Sequence, residues 1–191
     1  KEPVESLHIR YSMPTWIVKH WLADYDYETV EGMLQQFMAP KSTTIRANLT
    51  RLSTKELAEQ LKAEGITVEP GAYLPYALKI SGYNYIGKIP QFEEGCFVVQ
   101  DESSMLVGEV ARVKEGMNAI DVCAAPGGKT LHIAEKLNGT GHVSSRDLTY
   151  EKTALIEENK ERLGFTNVDI KAMDALTLDE KSVGVADLLI A

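Results

Sequence analysis

Residues 121–130 read Asp-Val-Cys-Ala-Ala-Pro-Gly-Gly-Lys-Thr, a carboxylate at the end of an apolar run followed by a turn of small residues. Three nucleotide chemistries use loops of this kind. A triphosphate-binding loop needs Gly-x-x-x-x-Gly-Lys-Thr, so that backbone N–H groups wrap the phosphates. Gly128, Lys129 and Thr130 match its end, but Cys123 stands where the first glycine belongs, and Pro126 removes an N–H from the middle of the cradle. A dinucleotide fingerprint needs Gly-x-Gly-x-x-Gly with an acid about 20 residues on, and only the adjacent Gly127 and Gly128 are present. The third reading fits. Asp121, Asp147 and Asp174 close three successive strand-like runs. A carboxylate at Asp147 can accept from both hydroxyls of a ribose diol, because its two oxygens match two neighbouring donors. Asp174 can accept from an adenine amino group. The turn of Cys123, Ala124, Ala125, Pro126, Gly127 and Gly128, running into a helix at Lys129, leaves N–H groups for a small carboxylate. Such a pocket takes an adenosine without phosphates, and S-adenosyl-L-methionine is that ligand. Plainer roles stay open: Asp147 could cap the following helix, and Lys129 could face the substrate side or simply begin its own helix.

These residues need a sheet to carry them. From about residue 96 the pattern alternates: a strand-like lead-in at Cys-Phe-Val-Val-Gln-Asp, then helix, strand 117–125, helix, strand 141–148, a helix closed by Gly164, and strands near 167–175 and 185–191. This spacing predicts an α/β domain with a parallel, Rossmann-like sheet, which binds ligands at the carboxyl ends of its strands. Ahead of it, 41–95 reads as a small α/β module. Thr43–Leu49 alternates as a strand, Ser53 and Glu56 have capping-box spacing before a helix that Gly65 stops, and two strands follow. Its order suggests a βαβ-like unit. Residues 1–40 read as helices. One spans 12–22, capped by Ser12, with Trp16, Ile17, His20 and Trp21 on one side. Another spans 27–38, with Val30, Met33, Leu34, Phe37 and Met38 inward and Pro40 as its stop.

The 191 residues suit one domain with attachments. Two cysteines, Cys96 and Cys123, make no disulfide framework, and four scattered histidines make no metal site. No apolar run is long enough to cross a bilayer, so the expected compartment is the cytoplasm and no membrane partner is implied. The net charge of −8 argues against a general affinity for polyanions. The exception is 41–92, where seven Lys and Arg face four Glu. If nucleic acid is touched, that segment is the face. The chain opens at Lys1 and closes in a strand-like apolar run, and is expected to be part of a longer protein, its parallel sheet truncated after about the fourth strand.

The run 121–130 resembles the first motif of the Sun-type RNA (cytosine-5) methyltransferases. Tyr-Ser-Met-Pro-Thr-Trp-Ile-Val-Lys-His-Trp (11–21), Thr-Thr-Ile-Arg-Ala-Asn (43–48), 93–107, Ser-Ser-Arg-Asp-Leu (144–148), Glu-Asn-Lys-Glu-Arg-Leu-Gly (158–164) and Met-Asp-Ala (173–175) follow in the family's order. The resemblance implies a class I S-adenosylmethionine-dependent methyltransferase fold, with 123–129, Asp147 and Asp174 on the methyl donor. It implies ribosomal RNA, 16S in the bacterial members, as substrate and partner. It also implies catalysis by two cysteines on later strands, so no catalytic residue is expected between Lys1 and Ala191, and residues 1–191 alone are expected to be inactive. Arg46 and Asn48 match an Arg-x-Asn pattern beside the family's RNA cleft, where a phosphate or sugar contact is expected; the alternative is an exposed Arg46 and a turn-closing Asn48. A non-catalytic RNA-binding or ribosome-assembly protein of the same shape is the second functional reading. An amino-methyltransferase, which would carry Asn-Pro-Pro-Tyr after residue 191, is the third.

Overall fold

The computed structural model describes residues 3–39 and 42–191. Two compact units divide at residue 41. The first is a helical unit of α1 (Pro3–Tyr11), α2 (Thr15–Asp24) and α3 (Tyr27–Met38). Its core is Leu7, Val18, Val30 and Leu34. The sequence reading missed α1, and the added helix changes what α2 buries. Val18 is fully buried while Trp16 is 69% exposed. Ser12, expected as a cap, sits at φ 52° in the turn between α1 and α2, and Pro14 takes the cap position. The span of α3 is as expected, but Phe37 and Met38 are exposed, Phe37 stacking on Trp21 instead. Asp26 begins α3 by accepting the N–H of Thr29 at 2.8 Å. Pro40 lies outside the described residues.

The second unit opens with β1 (Thr43–Ala47), α4 (Thr54–Ala63), β2 (Thr67–Pro70), β3 (Ala77–Ser81), the short α5 (Pro90–Glu93) and β4 (Phe97–Val99). The capping box forms as its spacing predicts: Ser53 Oγ accepts the N–H of Glu56, and the Glu56 carboxylate accepts the N–H of Ser53 at 2.9 Å. The βαβ-like unit is a split one. The sheet order is β2-β3-β1-β4 with every neighbouring pair antiparallel, so β1 and β2, joined through α4, run parallel with β3 inserted between them.

The chain continues through α6 (Glu102–Val110), β5 (Asn118–Asp121), α7 (Gly128–Lys136), β6 (His142–Asp147), α8 (Tyr150–Leu163), β7 (Val168–Ala172) and β8 (Leu188–Ile190). These strands form a parallel sheet of order β7-β6-β5-β8. The order reverses at β5, the switch point where open α/β sheets bind ligands.

The expected boundary at 95/96 does not hold. Phe97–Val99, read as the lead-in to the parallel sheet, is the fourth strand of the antiparallel one, pairing Ile45 with Val99 and Ala47 with Phe97. Alternation of side chains across a strand gives the reason. Phe97 is fully buried in the core with Ile45, Leu57, Leu61 and Ile80, while Val98 points the other way into the core with Leu131, Val143 and Val168. One strand serves both cores. Glu102 adds a polar tie: its carboxylate accepts the N–H groups of Ala72, Tyr73 and Leu74 at 2.8–3.0 Å, holding the β2–β3 loop against the start of α6.

Candidate functional site

Parallel pairing aligns the strand ends. Asp121 lies level with Ser145 on β6 and Ile190 on β8, and Asp147 lies level with Ala172. The loop 122–127 springs from this edge. Asp121, 2% exposed, braces it from below: one carboxylate oxygen accepts the N–H of Cys123 at 3.2 Å and the other the Thr130 hydroxyl at 2.7 Å. Burial pushes the Asp121 carboxyl up, against the downward pull of Thr130, Cys123 and the nearby charge of Lys129. The N–H of Ala124 donates to the Arg146 carbonyl at 2.9 Å, tying the loop to β6. Cys123 is exposed and Ala124 buried. Pro126 follows a cis peptide bond. Gly127 caps α7 at φ 104°, and a Cβ there would approach the Leu131 and Ile156 side chains to 3.2 and 3.3 Å, so glycine is required twice over. Gly128 and Lys129 then form the first turn of α7, whose N–H groups have no intrahelical acceptor.

Asp147 faces the loop from the end of β6. Its Oδ2 accepts the N–H of Ala125 at 2.9 Å, its Oδ1 the N–H of Leu148 at 2.8 Å, and Lys152 approaches Oδ1 to 3.1 Å. Burial pushes this carboxyl up, but the two N–H groups and the Lys152 ammonium outweigh it and hold the group below the usual carboxylate range. The capping alternative for Asp147 falls away, because Thr149 caps α8 by accepting the N–H of Lys152. Asp174 lies two residues past β7 and is exposed; its carboxylate accepts the N–H of Leu176 at 2.9 Å within a turn. The N–H of Met173 donates to the Asp147 carbonyl at 2.8 Å, which brings the two acidic segments to one edge. The loop, Asp147 and Asp174 are thus gathered at the carboxyl ends of adjacent strands. A wider groove, of about 650 Å³, lies elsewhere, between α4 and residues 68–78.

Arg46 and Asn48 are not presented to a polyanion, which corrects the expectation of a phosphate or sugar contact. Arg46 is 1% exposed; its Nε donates to Gln100 at 2.8 Å and its Nη1 pairs with Glu135 on α7. Asn48 is 2% exposed and donates to the carbonyls of Gly95 and Leu163 at 2.9 and 3.2 Å, while its own oxygen accepts from Thr50. Both residues sit between the two sheets because β4 is shared, so a β1 side chain leaving the small core meets α7 rather than water. Sequence reasoning missed the rest of this contact. Glu109 on α6 accepts from the Tyr76 hydroxyl and pairs with Lys136 on α7 at 2.7 Å. His132 is buried edge-on to Tyr76, and burial, with the charges of Arg46 and Lys136, pushes its imidazole down to about 2. Cys96 is buried in the small core, which pushes its thiol up.

Among the described residues no group of three or more His, Cys, Asp or Glu is placed to hold a metal ion, and no helix is long and apolar enough to cross a membrane. Residues 13–85 match the ferredoxin-like domain family of RsmF/B-like methyltransferases, and 110–190 match the 16S rRNA methyltransferase RsmB/F family. The probable ribosomal RNA small subunit methyltransferase B of Bacillus subtilis is 39% identical over 92% of this chain and 39% of its own length. The tRNA (cytosine(72)-C(5))-methyltransferase of Pyrococcus horikoshii is 31% identical over 86% of this chain and 40% of its own. A crystal structure of a methyltransferase homologue from P. horikoshii superposes with a TM-score of 0.72 at 21% identity, over 92% of this chain and 58% of that one, a likeness of fold. The chain spans about two fifths of the length of the curated relatives it matches. With the S-adenosylmethionine-dependent methyltransferase fold, and with both matched families describing parts of the same methyltransferases, the chain belongs to the Sun-type RNA (cytosine-5) methyltransferase family.

Proposed function

We propose that the protein carrying this chain transfers a methyl group from S-adenosyl-L-methionine to carbon 5 of a cytosine in ribosomal RNA, 16S being the expected target. The observation that carries the reading is Asp147. Its two oxygens are each oriented by one backbone N–H, at 2.9 and 2.8 Å, at the strand end facing the 123–128 loop. Oδ2 keeps a lone pair for a second donor, and Oδ1 gains one when the half-exposed Lys152 side chain, 3.1 Å away, gives way to a hydroxyl of a vicinal diol. The residues present therefore fit an adenosyl group. Asp147 would take the ribose, the N–H groups of Gly128 and Lys129 the carboxylate of the methionyl tail, and Asp174 the adenine amino group. When bound, the donor supplies an electrophilic methyl on a positively charged sulfur.

Cytosine carbon 5 is a weak nucleophile. A thiolate adding to carbon 6 pushes electrons onto carbon 5, which takes the methyl; a base then removes the carbon-5 proton and the thiolate leaves. Cys96 is unsuited to that task, since it is buried in an apolar core and its thiol is held protonated. Cys123 belongs to the donor loop, where its small side chain leaves room for the ligand. The reading therefore assigns the nucleophile and its partner cysteine to sequence outside residues 1–191, and residues 1–191 alone to donor binding without turnover. The target base must be unstacked for thiol and donor to reach it. Labelled donor and unmethylated 16S rRNA test the proposal with the intact protein. The expected product is 5-methylcytidine, lost in Asp147→Ala together with donor binding. RNA binding without methylation would instead mark a non-catalytic assembly protein, and methyl on an exocyclic nitrogen an amino-methyltransferase.

A further inference from the structure

A second set of contacts leads from the small module to the donor loop itself. The Arg162 guanidinium, near the end of α8, lies 3.9 Å over the Phe92 ring. Its Nη1 donates to the carbonyls of Phe92 and Phe97 at 2.7 and 3.0 Å, and its Nη2 donates to Asn159 Oδ1 at 2.9 Å. With its oxygen so engaged, the Asn159 amide can turn only its NH2 toward the loop. That group donates to the Pro126 carbonyl at 3.0 Å and to the Leu155 carbonyl at 3.1 Å. Behind the loop lies a cavity of about 180 Å³, lined by Phe92, Val98, Pro126, Gly128, Leu131 and Arg162 among others. Packing from the rear is incomplete there, and the Pro126–Gly127 peptide is held at two points, its carbonyl by the Asn159 amide and its N–H by the Ala124 carbonyl at 2.6 Å. The neighbouring contact fixes the base of this relay: Asn48 donates to Leu163, and Gly95 approaches the Arg162 carbonyl so closely that a Cβ would lie 2.0 Å from it.

We infer that Asn159 and Arg162 are positioning residues for the methyl-donor loop, relaying the placement of the small module through the Pro126 carbonyl to the N–H groups of Gly128 and Lys129. The inference rests on the donor-site reading above. Neither side chain touches the donor; Asn159 orients the peptide before Gly127, and Arg162 orients Asn159. A purely structural role in docking the module against α8 makes a different forecast, and one substitution separates the two. Asn159→Asp keeps, and by charge strengthens, the acceptor for Arg162, but it cannot donate to Pro126.

The test uses the intact protein, with S-adenosylhomocysteine affinity by titration calorimetry, KM for donor and for RNA, and the thermal midpoint. Asn159→Asp should raise the S-adenosylhomocysteine Kd and the donor KM about tenfold, the loss of one well-placed hydrogen bond, while the RNA KM and the midpoint stay at wild-type values. Should that variant unfold, Arg162→Lys is read on donor affinity against RNA KM alone, since lysine keeps the charge but not the fork that reaches both carbonyls and Asn159, and its lost module contacts lower the midpoint in either case. A lowered midpoint with unchanged donor affinity, or no change at all, overturns the relay. Asp147→Ala is the control. If wild type binds S-adenosylhomocysteine and Asp147→Ala does not, the donor site stands whatever Asn159→Asp does. If wild type does not bind, or Asp147→Ala binds fully, the donor-site reading fails and the relay fails with it.

Discussion

Replacing Arg46 by methionine tests whether this residue is a tether or an RNA ligand. The guanidinium is 1% exposed and pairs with Glu135, whose side chain keeps 10% of its surface. Burial pulls the Arg46 pKa down and Glu135 pulls it back only in part, the signature of a cation whose desolvation is incompletely repaid. Removing the cation leaves the Glu135 carboxylate with the N–H of Leu49 at 2.9 Å as its remaining partner in this contact. Breaking a buried pair from one side costs about 3–5 kcal/mol. The low end, about 3 kcal/mol, applies here because Glu135 can still reach water. For a chain of this size that lowers the midpoint by about 6–12 °C. Glu135→Leu should cost more, since Arg46 has no such outlet. The double variant Arg46→Met/Glu135→Leu should recover most of the loss, because an apolar pair needs no solvation. Urea unfolding with a double-mutant cycle reads all three. Single losses below about 1 kcal/mol, or losses that simply add, would refute the tether. So would an Arg46→Met protein of wild-type stability with weakened RNA affinity.

Two further substitutions probe the same assembly. Gly95→Ala combines a φ of 72° with a Cβ 2.0 Å from the Arg162 carbonyl, and should cost at least about 2 kcal/mol in the same urea assay; a near-neutral result would mean the α5–β4 turn does not press on α8. Glu102 is pushed up by burial but held below its usual range by the N–H groups of Ala72, Tyr73 and Leu74. Its contribution is therefore complete above the unfolded value of about 4.3 and disappears as pH falls through the lower folded value. Glu102→Gln should lose stability at neutral pH and flatten the acid limb of the stability–pH curve, and an unchanged acid limb would remove Glu102 as the clamp on that loop.

What the sequence made legible is what local chemistry decides. The Ser53–Glu56 box needs partners three residues apart, Gly164 ends α8 in the left-handed conformation, and acids at strand ends follow from the strand period alone. The span of α3 came out of the apolar spacing in the same way. The misses share a different cause. Arg46 reads as a solvent-facing residue of an alternating strand until a helix 89 residues later covers that face. Asn159 acts on a carbonyl 33 residues away and Arg162 on two carbonyls 65 and 70 residues away. No window of sequence holds both halves of such a contact. The misplaced boundary at β4 is the sharpest case, because three residues are too few to declare a sheet and their two faces belong to different cores.

That shared strand bears on how the proposed reaction would keep its geometry. A module joined to a methyltransferase sheet by a linker can turn as a body, and a reacting base it carried would then lose register with the sulfonium by ångströms. Here Phe97 and Val98 are successive residues of one strand with their side chains in opposite cores, so a hinge between the modules would have to pull one or the other out of its core. Full burial of such side chains is worth roughly 1.5–3 kcal/mol each, before the Arg46–Glu135 pair and the Asn48 and Arg162 contacts are counted. Opening on the scale of catalysis is correspondingly disfavoured, and residues 42–191 should unfold in one transition. In-line transfer tolerates little misplacement, about 1 Å costing two orders of magnitude in rate. A donor loop braced from the small module through Arg162, Asn159 and Pro126 keeps the donor in register with whatever that module carries.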